Sequence, residues 1–321
     1  MAPVVLKTED RPRFVVVGGA HMEIVMHLGE SLPARGAVSS ERTVLRPGGR
    51  AACTAAALAE LHSRVTFITC LGADPFAGPI LTGLSQRSIN TSYIPRSARF
   101  PTGLMHYIVE PAGAGRRIFS PGASMDLTER HVHKASVQFA SADIVLITPD
   151  IPHDTFLGAL HLAHELRRPV IVDPSPADRI EIADLAECDI VCADAGTAAA
   201  ICGWAIRSHG DAQRCAARIL ALGAGAVVLD LAQRGVFTAS GGNQVTYTPA
   251  PTHAPEPHTD ARAAFNAGLA WALALGYTLS QAAWIAQSAS AAMASEDTQT
   301  HDFPAFPGFE ELISQQSLHI K

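Results

Sequence analysis

A polar turn that runs directly into an alanine-rich helix, "PHTDARAAFNAGLAWALALG" (257–276), is where this sequence could do chemistry. The first turn of a helix presents unbonded N–H groups and a positive dipole end, which together suit a phosphate. This turn carries Asp260 where an anion would bind and Ala263 where a proton acceptor would be useful. Thr259 or Asp260 can cap the helix, which stabilises it by about 0.5–2 kcal/mol. The stretch therefore predicts either a damaged phosphate-transfer site or only a well-capped helix.

The other histidine, serine and cysteine patterns do not complete a catalytic or metal site. His161 and His164 share one helix face, but no nearby cysteine or second histidine pair completes a tetrahedral set, so we interpret them as surface residues. The sequence has no Gly-x-Ser-x-Gly elbow or Ser-His-Asp arrangement, which leaves hydrolase chemistry without support. The six cysteines include no Cys-x-x-Cys pair, and we expect reduced core cysteines in a cytoplasmic protein.

Apolar, β-branched segments alternate with helical segments along most of the chain. The predicted strands are 13–19, 64–72, 143–150, 169–176, 189–194 and 226–231, and predicted helices include 48–63, 75–88, 153–167 and 211–222. This alternation predicts a doubly wound, mostly parallel α/β sheet flanked by helices. Ligands of such sheets bind beyond the carboxyl ends of the strands.

Three further segments complete the predicted organisation. Segments 36–47 and about 92–120 have half-polar strand patterns without intervening helices, which predicts a small β lid over the main sheet. Polar residues interrupt the alanine-rich tract 261–294, which favours two buried helices over a membrane span. No internal repeat or low-complexity linker is found, so we predict a single domain over residues 1–321.

Composition excludes several classes of function. Of 321 residues, 48% are hydrophobic and 17% charged, which is typical of a globular chain. A formal net charge of −6 gives no electrostatic footprint for nucleic acid or for an anionic membrane. The first thirteen residues, "MAPVVLKTEDRPR", lack the apolar segment of a signal peptide. We therefore expect neither a nucleic-acid nor a membrane partner.

Over nearly its whole length the chain resembles the ribokinase-like sugar kinases of the phosphofructokinase-B type. Residues 46–94 carry two glycines, an alanine-rich helix, a strand and then Gly72, Asp74 and Gly78, in the order of that family's first signature. "PTGLMHYIV", "RRIFSPGASMDLT", "VDPSP", "DIVCADAGTAAAICG" and "AVVLDLAQRGVF" resemble later family segments. The opening stretch takes the place of the second signature, Asp-Thr-Thr-Gly-Ala-Gly-Asp-Ala-Phe. The resemblance implies transfer of a phosphoryl group from ATP to a sugar or nucleoside hydroxyl.

The resemblance implies a substrate site in the first third of the chain. Glu23 takes the place of the aspartate that binds substrate hydroxyls, but it is equally well interpreted as a solvated loop acid. His21 is either a ligand contact or a loop histidine. Arg50 replaces a lysine, and Cys53, which replaces an asparagine, is better interpreted as a small buried helix residue. The implied substrate-binding residues are His21, Glu23, Gly48, Gly49, Arg50 and Cys53.

The implied nucleotide site departs from the family pattern at three separate places. Ala263 occupies the catalytic-base position, Pro257 the leading aspartate position, and Asp260 and Arg262 the two glycine positions. A like charge about 4 Å from a phosphate oxygen costs about 4 kcal/mol at an effective dielectric constant of 20, which an inward Arg262 could partly offset. Asp194 and Thr197 replace Asn-x-x-Glu, and Asp230 replaces the threonine of the nucleotide strand. Helix packing is the favoured interpretation of Gln287. The implied nucleotide-binding residues are Asp194, Asp230, Gly235, Thr259, Asp260, Ala261, Arg262 and Gln287.

Two hypotheses of different classes follow from these positions. The favoured one is a catalytically impaired pseudokinase with no catalytic residue and no metal, which binds a small molecule or a partner protein. The alternative is an active, ATP- and Mg²⁺-dependent sugar or nucleoside kinase that uses Asp194 or Asp230 as its base. An engineered Ala263 would not explain Asp260, Arg262 or Thr197. In either case we expect a homodimer through the lid strands, because an exposed strand edge pairs readily with another strand.

Overall fold

The computed structural model describes residues 11–33, 35–111, 115–241, 244–250, 259–294 and 302–306. Its strands, in chain order, are β1 (Arg13–Val17), β2 (His21–Leu28), β3 (Ser40–Gly48), β4 (Arg64–Ile68), β5 (Leu71–Gly72), β6 (Arg96–Ser97), β7 (Gly103–Val109), β8 (Gly115–Ser120), β9 (Ile144–Ile147), β10 (Val170–Val172), β11 (Ile190–Asp194), β12 (Ala226–Asp230), β13 (Val236–Ser240) and β14 (Gln244–Thr248). Its α-helices are α1 (Arg50–Glu60), α2 (Ala77–Gln86), α3 (Glu129–His133), α4 (Ser136–Ser141), α5 (His153–Glu165), α6 (Ala195–Cys202), α7 (His209–Ala221), α8 (Thr259–Ala274) and α9 (Leu279–Ala294).

The main sheet has the strand order β14-β13-β12-β11-β10-β9-β1-β4. All neighbouring pairs from β4 to β12 are parallel, whereas β13 and β14 form an antiparallel hairpin at one edge. The prediction of a mostly parallel α/β sheet is therefore confirmed, but the hairpin was not predicted. Strands such as β9, "IVLI", are buried throughout because helices cover both faces of the sheet.

Successive residues of the central strands face opposite sides of the sheet. Val16 packs in the cluster with α1, α8 and α9, and Val15 in the cluster with α5, α6 and α7. The two predicted helices in 261–294 are α8 and α9, which pack against one another and are largely buried. No helix among the described residues combines the length and apolar character that a membrane crossing requires.

The lid is a separate four-stranded sheet with the order β3-β2-β7-β8. The predicted segments supply β3, β7 and β8, but the boundaries were wrong in two respects. β2 is a lid strand that the pattern "HMEIVMHL" did not reveal, because its ionisable residues alternate with apolar ones directly after β1. Within 92–102, β6 pairs with β5 in a small sheet of its own and not with the lid.

One cysteine pair differs from the expectation of reduced thiols. Cys202 at the end of α6 and Cys215 in α7 form a disulfide, because the two helices bring their Cα atoms to 5.9 Å. Cys53, Cys70, Cys188 and Cys192 are free and buried, as expected of small core residues.

Candidate ligand site

Two glycines let the first helix approach the start of the lid. Gly49 precedes α1 with φ of 105°, a conformation that favours glycine, and a Cβ atom there would lie 2.7 Å from the carbonyl oxygen of Gly19. A Cβ atom on Gly48 would lie 2.5 Å from Cγ of Glu23. These glycines therefore seat the Glu23 side chain against the helix entrance, at the position where the resemblance implied a substrate.

Glu23, Arg46 and Asp260 form a buried ion-pair group beneath the lid, here called the lid triad. The Arg46 guanidinium lies 2.6 Å from the Glu23 carboxylate through Nη2 and 2.8 Å from the Asp260 carboxylate through Nη1. Burial would raise the pKa of Glu23, but the adjacent His21 ring and the Arg46 charge lower it to about 2. The Cys53 thiol approaches Asp260 Oδ1 at 3.8 Å, and burial together with that carboxylate raises its pKa. Arg46 thus links the lid to the first turn of α8.

His21 and Glu23 both lie on β2, and both are buried, so their interpretation as loop residues is wrong. His21 Nε2 is 3.7 Å from Glu23 Oε1, and its ring meets the Phe119 ring edge-on at 5.2 Å. Within the described part of the chain, His21 Nε2 has no hydrogen-bond partner. The lid therefore places one unsatisfied polar atom beside an ionised carboxylate.

Three aspartates, Asp173, Asp194 and Asp230, line the carboxyl edge of the main sheet. Together with Arg50 and Arg262 they are here called the sheet-edge group. Asp173 follows β10, while Asp194 and Asp230 end β11 and β12 in matching register. Arg50 Nη1 lies 3.2 Å from Asp173 Oδ2 and 3.7 Å from Asp194 Oδ2. Arg262 lies 3.4 Å from Asp173 through Nε and 3.4 Å from Asp230 through Nη1.

The two carboxylates at the ends of β11 and β12 have pKa values that shift in opposite directions. Burial raises the pKa of Asp230, and the nearby Arg262 offsets only part of that rise. Burial acts the same way on Asp194, but Arg262, the Thr197 N–H and Arg50 outweigh it and lower its pKa. Asp194 Oδ1 accepts that N–H at 2.7 Å and so caps α6. Asp194, the more exposed of these two carboxylates, therefore keeps its charge more readily than Asp230.

Asp260 and Arg262 each contribute one charge to a different group. Asp260 belongs to the lid triad and Arg262 to the sheet-edge group. Both charged side chains of the first turn of α8 are therefore paired with other side chains of the protein. The expectation of a bare negative charge at Asp260 is wrong, because Arg46 pairs with it. Asp260 also lies within α8 and not ahead of it, so its predicted capping role is wrong. Of Thr259 only the backbone is described, and Pro257 lies outside the described residues.

The remaining predicted positions have structural roles. Gly235, with φ of 89°, forms the turn into β13, where a Cβ atom would meet the Thr248 carbonyl oxygen. Gln287 Nε2 donates to the Ala232 carbonyl at 3.0 Å, which agrees with its packing interpretation. Ala261 and Ala263 are fully buried in the core.

Three residues of the candidate site were missed by the sequence analysis. They are Arg46, Asp173 and Asn266, whose Nδ2 donates to Asp173 Oδ2 at 2.7 Å. A cavity of about 10 Å³, room for one water molecule, lies beside Asp173 and Asn266. Asp173 could have been found because it directly follows a predicted strand at the ligand-binding edge. Arg46 could not, because its partner Asp260 is 214 residues away.

Among the described residues, one group has side chains close enough together to hold a metal ion. It consists of His153, Glu181 and Asp184 and lies outside the lid triad and the sheet-edge group. His153 Nε2 lies 2.9 Å from Asp184 Oδ2, which also accepts the Glu181 N–H at 2.8 Å as part of a reciprocal cap. The pair singled out in the sequence is separate: His164 Nε2 lies 3.5 Å from Asp189. Both arrangements are explained by local capping and pairing.

The nucleotide and Mg²⁺ that the resemblance implies do not fit the residues present. The Arg262 side chain occupies a place where the family pattern has glycine, and its Nη2 is bound to the Cys192 carbonyl at 2.6 Å. Asp260 directs its carboxylate to Arg46, and the one cationic side chain of this turn, Arg262, is paired with Asp173 and Asp230. Ala263 has no atom that could accept a proton. The charged side chains of Asp260 and Arg262 are therefore both engaged by charged groups of the protein itself.

The parallel sheet, the four-stranded lid and a site at their junction define the ribokinase-like class of α/β folds. A ribokinase from Arabidopsis thaliana, solved with ribose and ATP, superposes with a TM-score of 0.85 at 22% identity over 95% of this chain and 98% of that chain. A ribokinase from Thermotoga maritima gives 0.83 at 24% identity, over 94% and 99% of the two chains. At these identities the likeness shows the fold alone.

The family model described as pfkB family carbohydrate kinase matches residues 12–305, and the chain belongs to that family. Ribokinases from Haemophilus influenzae and Staphylococcus aureus are 26% and 27% identical over 195 and 193 residues, 61% and 60% of this chain. Each match spans 64% of the relative's length, which is less than two thirds. The predicted ribokinase-like family is thus confirmed.

Proposed function

We propose that this carbohydrate-kinase-family protein has little or no phosphotransfer activity and uses the fold to bind a small molecule or a partner protein. The first turn of α8 carries the proposal. Ala263 supplies no general base, whose loss typically lowers a rate by about 10²–10⁴-fold. The side chains of Asp260 and Arg262, at the two positions where the family pattern has glycine, are engaged by Arg46, Asp173 and Asp230.

The test is a coupled assay of ADP release with ATP, Mg²⁺ and a panel of sugars and nucleosides. The ribokinase of Haemophilus influenzae, assayed in parallel, controls for the coupling enzymes. Since most enzymes turn over faster than about 1 s⁻¹, we expect this chain to stay well below that rate with every acceptor. Turnover above about 1 s⁻¹ with any sugar or nucleoside would overturn the proposal.

The second candidate is an active kinase, and the names of the relatives favour it more than they favour the first. The curated relatives reported above are ribokinases, so ribose is the first acceptor to test. Asp194 is the best base of this alternative, because it is ionised and partly exposed at the edge of the sheet. Under this candidate, Asp194→Asn abolishes ATP-dependent phosphorylation of ribose while Asp211→Asn, at an exposed position, does not.

We also propose a homodimer formed through the outer face of the lid. Leu45, Ile24, His106 and Ile118 are neighbours across the four lid strands, and Ile118 is 59% exposed. Three of these four side chains are apolar, and exposed apolar surface of this kind on a sheet face supports association. Light scattering at micromolar concentration should give twice the mass of the chain, and Ile118→Asp should halve it. A wild-type monomer would contradict this proposal.

A cytoplasmic location remains part of the proposal, on the grounds of the fold and composition. The Cys202–Cys215 bond argues the other way, because the cytoplasm keeps most thiols reduced. Cell fractionation tests the location: recovery outside the cytoplasmic fraction would refute it.

A further inference from the structure

The Cys202–Cys215 bond joins two helices whose buried side chains are mostly small. Those side chains are Thr197, Ala198, Ile201 and Cys202 in α6 and Ala212, Cys215, Ala216 and Ile219 in α7. Small side chains bury little apolar area, and buried apolar area is what usually holds a helix in place. The covalent bond is therefore a main connection between the end of α6 and α7.

The bond lies beneath a surface loop and beside positive charge. The loop, residues 203–210, is mostly exposed, whereas both cysteines are buried. Arg218 Nη1 donates to the Cys202 carbonyl at 3.3 Å, and the guanidiniums of Arg214 and Arg218 lie over the Trp204 ring at 5.6 and 5.7 Å. A nearby cation stabilises the thiolate that leaves when a disulfide is reduced. Local opening of the loop would thus bring a small dithiol to a bond that is poised to be reduced.

The helix α6 connects this bond to the sheet-edge group. The Asp194 carboxylate caps the first turn of α6 by accepting the Thr197 N–H at 2.7 Å, and it lies 3.7 Å from Arg50. Cys202 is the last residue of the same helix. Because α6 is eight residues long, little more than two turns separate the bond from the residue that Asp194 caps.

We propose that Cys202–Cys215 is a redox switch that controls the order of α6 and, through it, the placement of Asp194. A dithiol of the thioredoxin kind supplies two electrons and two protons: the S–S bond breaks, each sulfur becomes a thiol, and the dithiol becomes a disulfide. Exchange with a small disulfide reverses the step. In a reducing compartment such bonds are usually transient and redox-sensing. The inference goes beyond the proposed function and does not depend on it.

The experiment is hydrogen–deuterium exchange of the full chain with and without millimolar dithiothreitol, read by mass spectrometry with fragmentation to single residues. Reduction should speed exchange of the α6 amides, including the Thr197 N–H, by about tenfold and leave α5 unchanged. Cys202→Ala/Cys215→Ala should exchange fast without reductant and should not respond to it. Cys188→Ala removes a buried free thiol and is the matched control, which should keep the wild-type response.

Thiol counts in denaturant follow the bond, with four thiols in the oxidised chain and six in the reduced chain. Failure of dithiothreitol to reduce the native chain would overturn the inference, as would equal α6 exchange in the oxidised and reduced chains. Six thiols after incubation with oxidised glutathione would also overturn it. If the double alanine variant does not fold, the oxidised and reduced wild-type chains decide the result. These readouts need no turnover, so an active enzyme would refute the proposed function without deciding them.

Discussion

Arg46 is the residue whose removal should damage this fold most through electrostatics. It lies between two carboxylates, Glu23 and Asp260, at 2.6 and 2.8 Å, and all three side chains are at least nine-tenths buried. At an effective dielectric constant of 20, each contact corresponds to about 6 kcal/mol of Coulomb energy. Much of this offsets the cost of burying the charges, so the measurable loss is smaller. Removing one partner of a buried pair costs about 3–5 kcal/mol, which is what we expect for Arg46→Met.

The assay is urea denaturation at pH 7, followed by tryptophan fluorescence and by circular dichroism. The control is Arg214→Met, which breaks a contact of 2.6 Å with Asp211 that is exposed to solvent and should leave the midpoint nearly unchanged. Arg46→Met/Asp260→Asn should be more stable than Arg46→Met, because one of the two stranded charges is removed. A loss below about 1 kcal/mol for Arg46→Met would refute the view that this arginine holds the lid triad together.

Three further predictions concern single positions. Because the pKa of Glu23 is lowered from 4.5 to about 2, the contribution of its charge to stability is complete above about pH 4.5 and is lost as pH falls towards 2. Measured as the free energy of unfolding against pH, this loss should be about 3 kcal/mol, and Glu23→Gln should make the free energy depend less on pH in this range. Ala263→Asp should not restore turnover in the coupled assay, and it should destabilise the fold by about 2 kcal/mol or more, since it buries a carboxylate at a fully buried position; robust turnover would show that the base alone was missing. Asp230→Asn should lower the free energy of unfolding at pH 7 by less than Arg46→Met does, because burial opposes ionisation of Asp230 and Arg262 keeps Asp173 as a second partner; a loss as large as that of Arg46→Met would contradict that reasoning.

The local pattern of the sequence was sufficient for the parallel strands of the main sheet and for its longer helices, α1, α2, α5, α7, α8 and α9. β9 is a continuous apolar run followed by Thr148, and β11 and β12 are apolar runs that end in an aspartate; such runs are typical of buried parallel strands. β2 was missed because it follows β1 after only three residues and because three of its eight residues are ionisable. Pairing with β3 and β7 is what makes it a strand.

The position of the candidate site could be predicted from the sequence, but the pairing of its charges could not. The first turn of α8 was identified, together with the absence of a base at Ala263, because those are properties of single residues. The pairing of Asp260 with Arg46 could not be predicted, because the two residues are 214 positions apart in the sequence. Charge at a site is a property of all the elements that meet there, and a motif of nine residues describes only one of them.

Calorimetric titration of ATP with Mg²⁺ into the full chain tests the central claim most directly, since the claim is that the first turn of α8, whose charged side chains are paired within the protein, does not bind a nucleotide. The account predicts no saturable heat up to about 5 mM nucleotide at pH 7. A saturable isotherm with one nucleotide per chain and a dissociation constant below about 1 mM would contradict it.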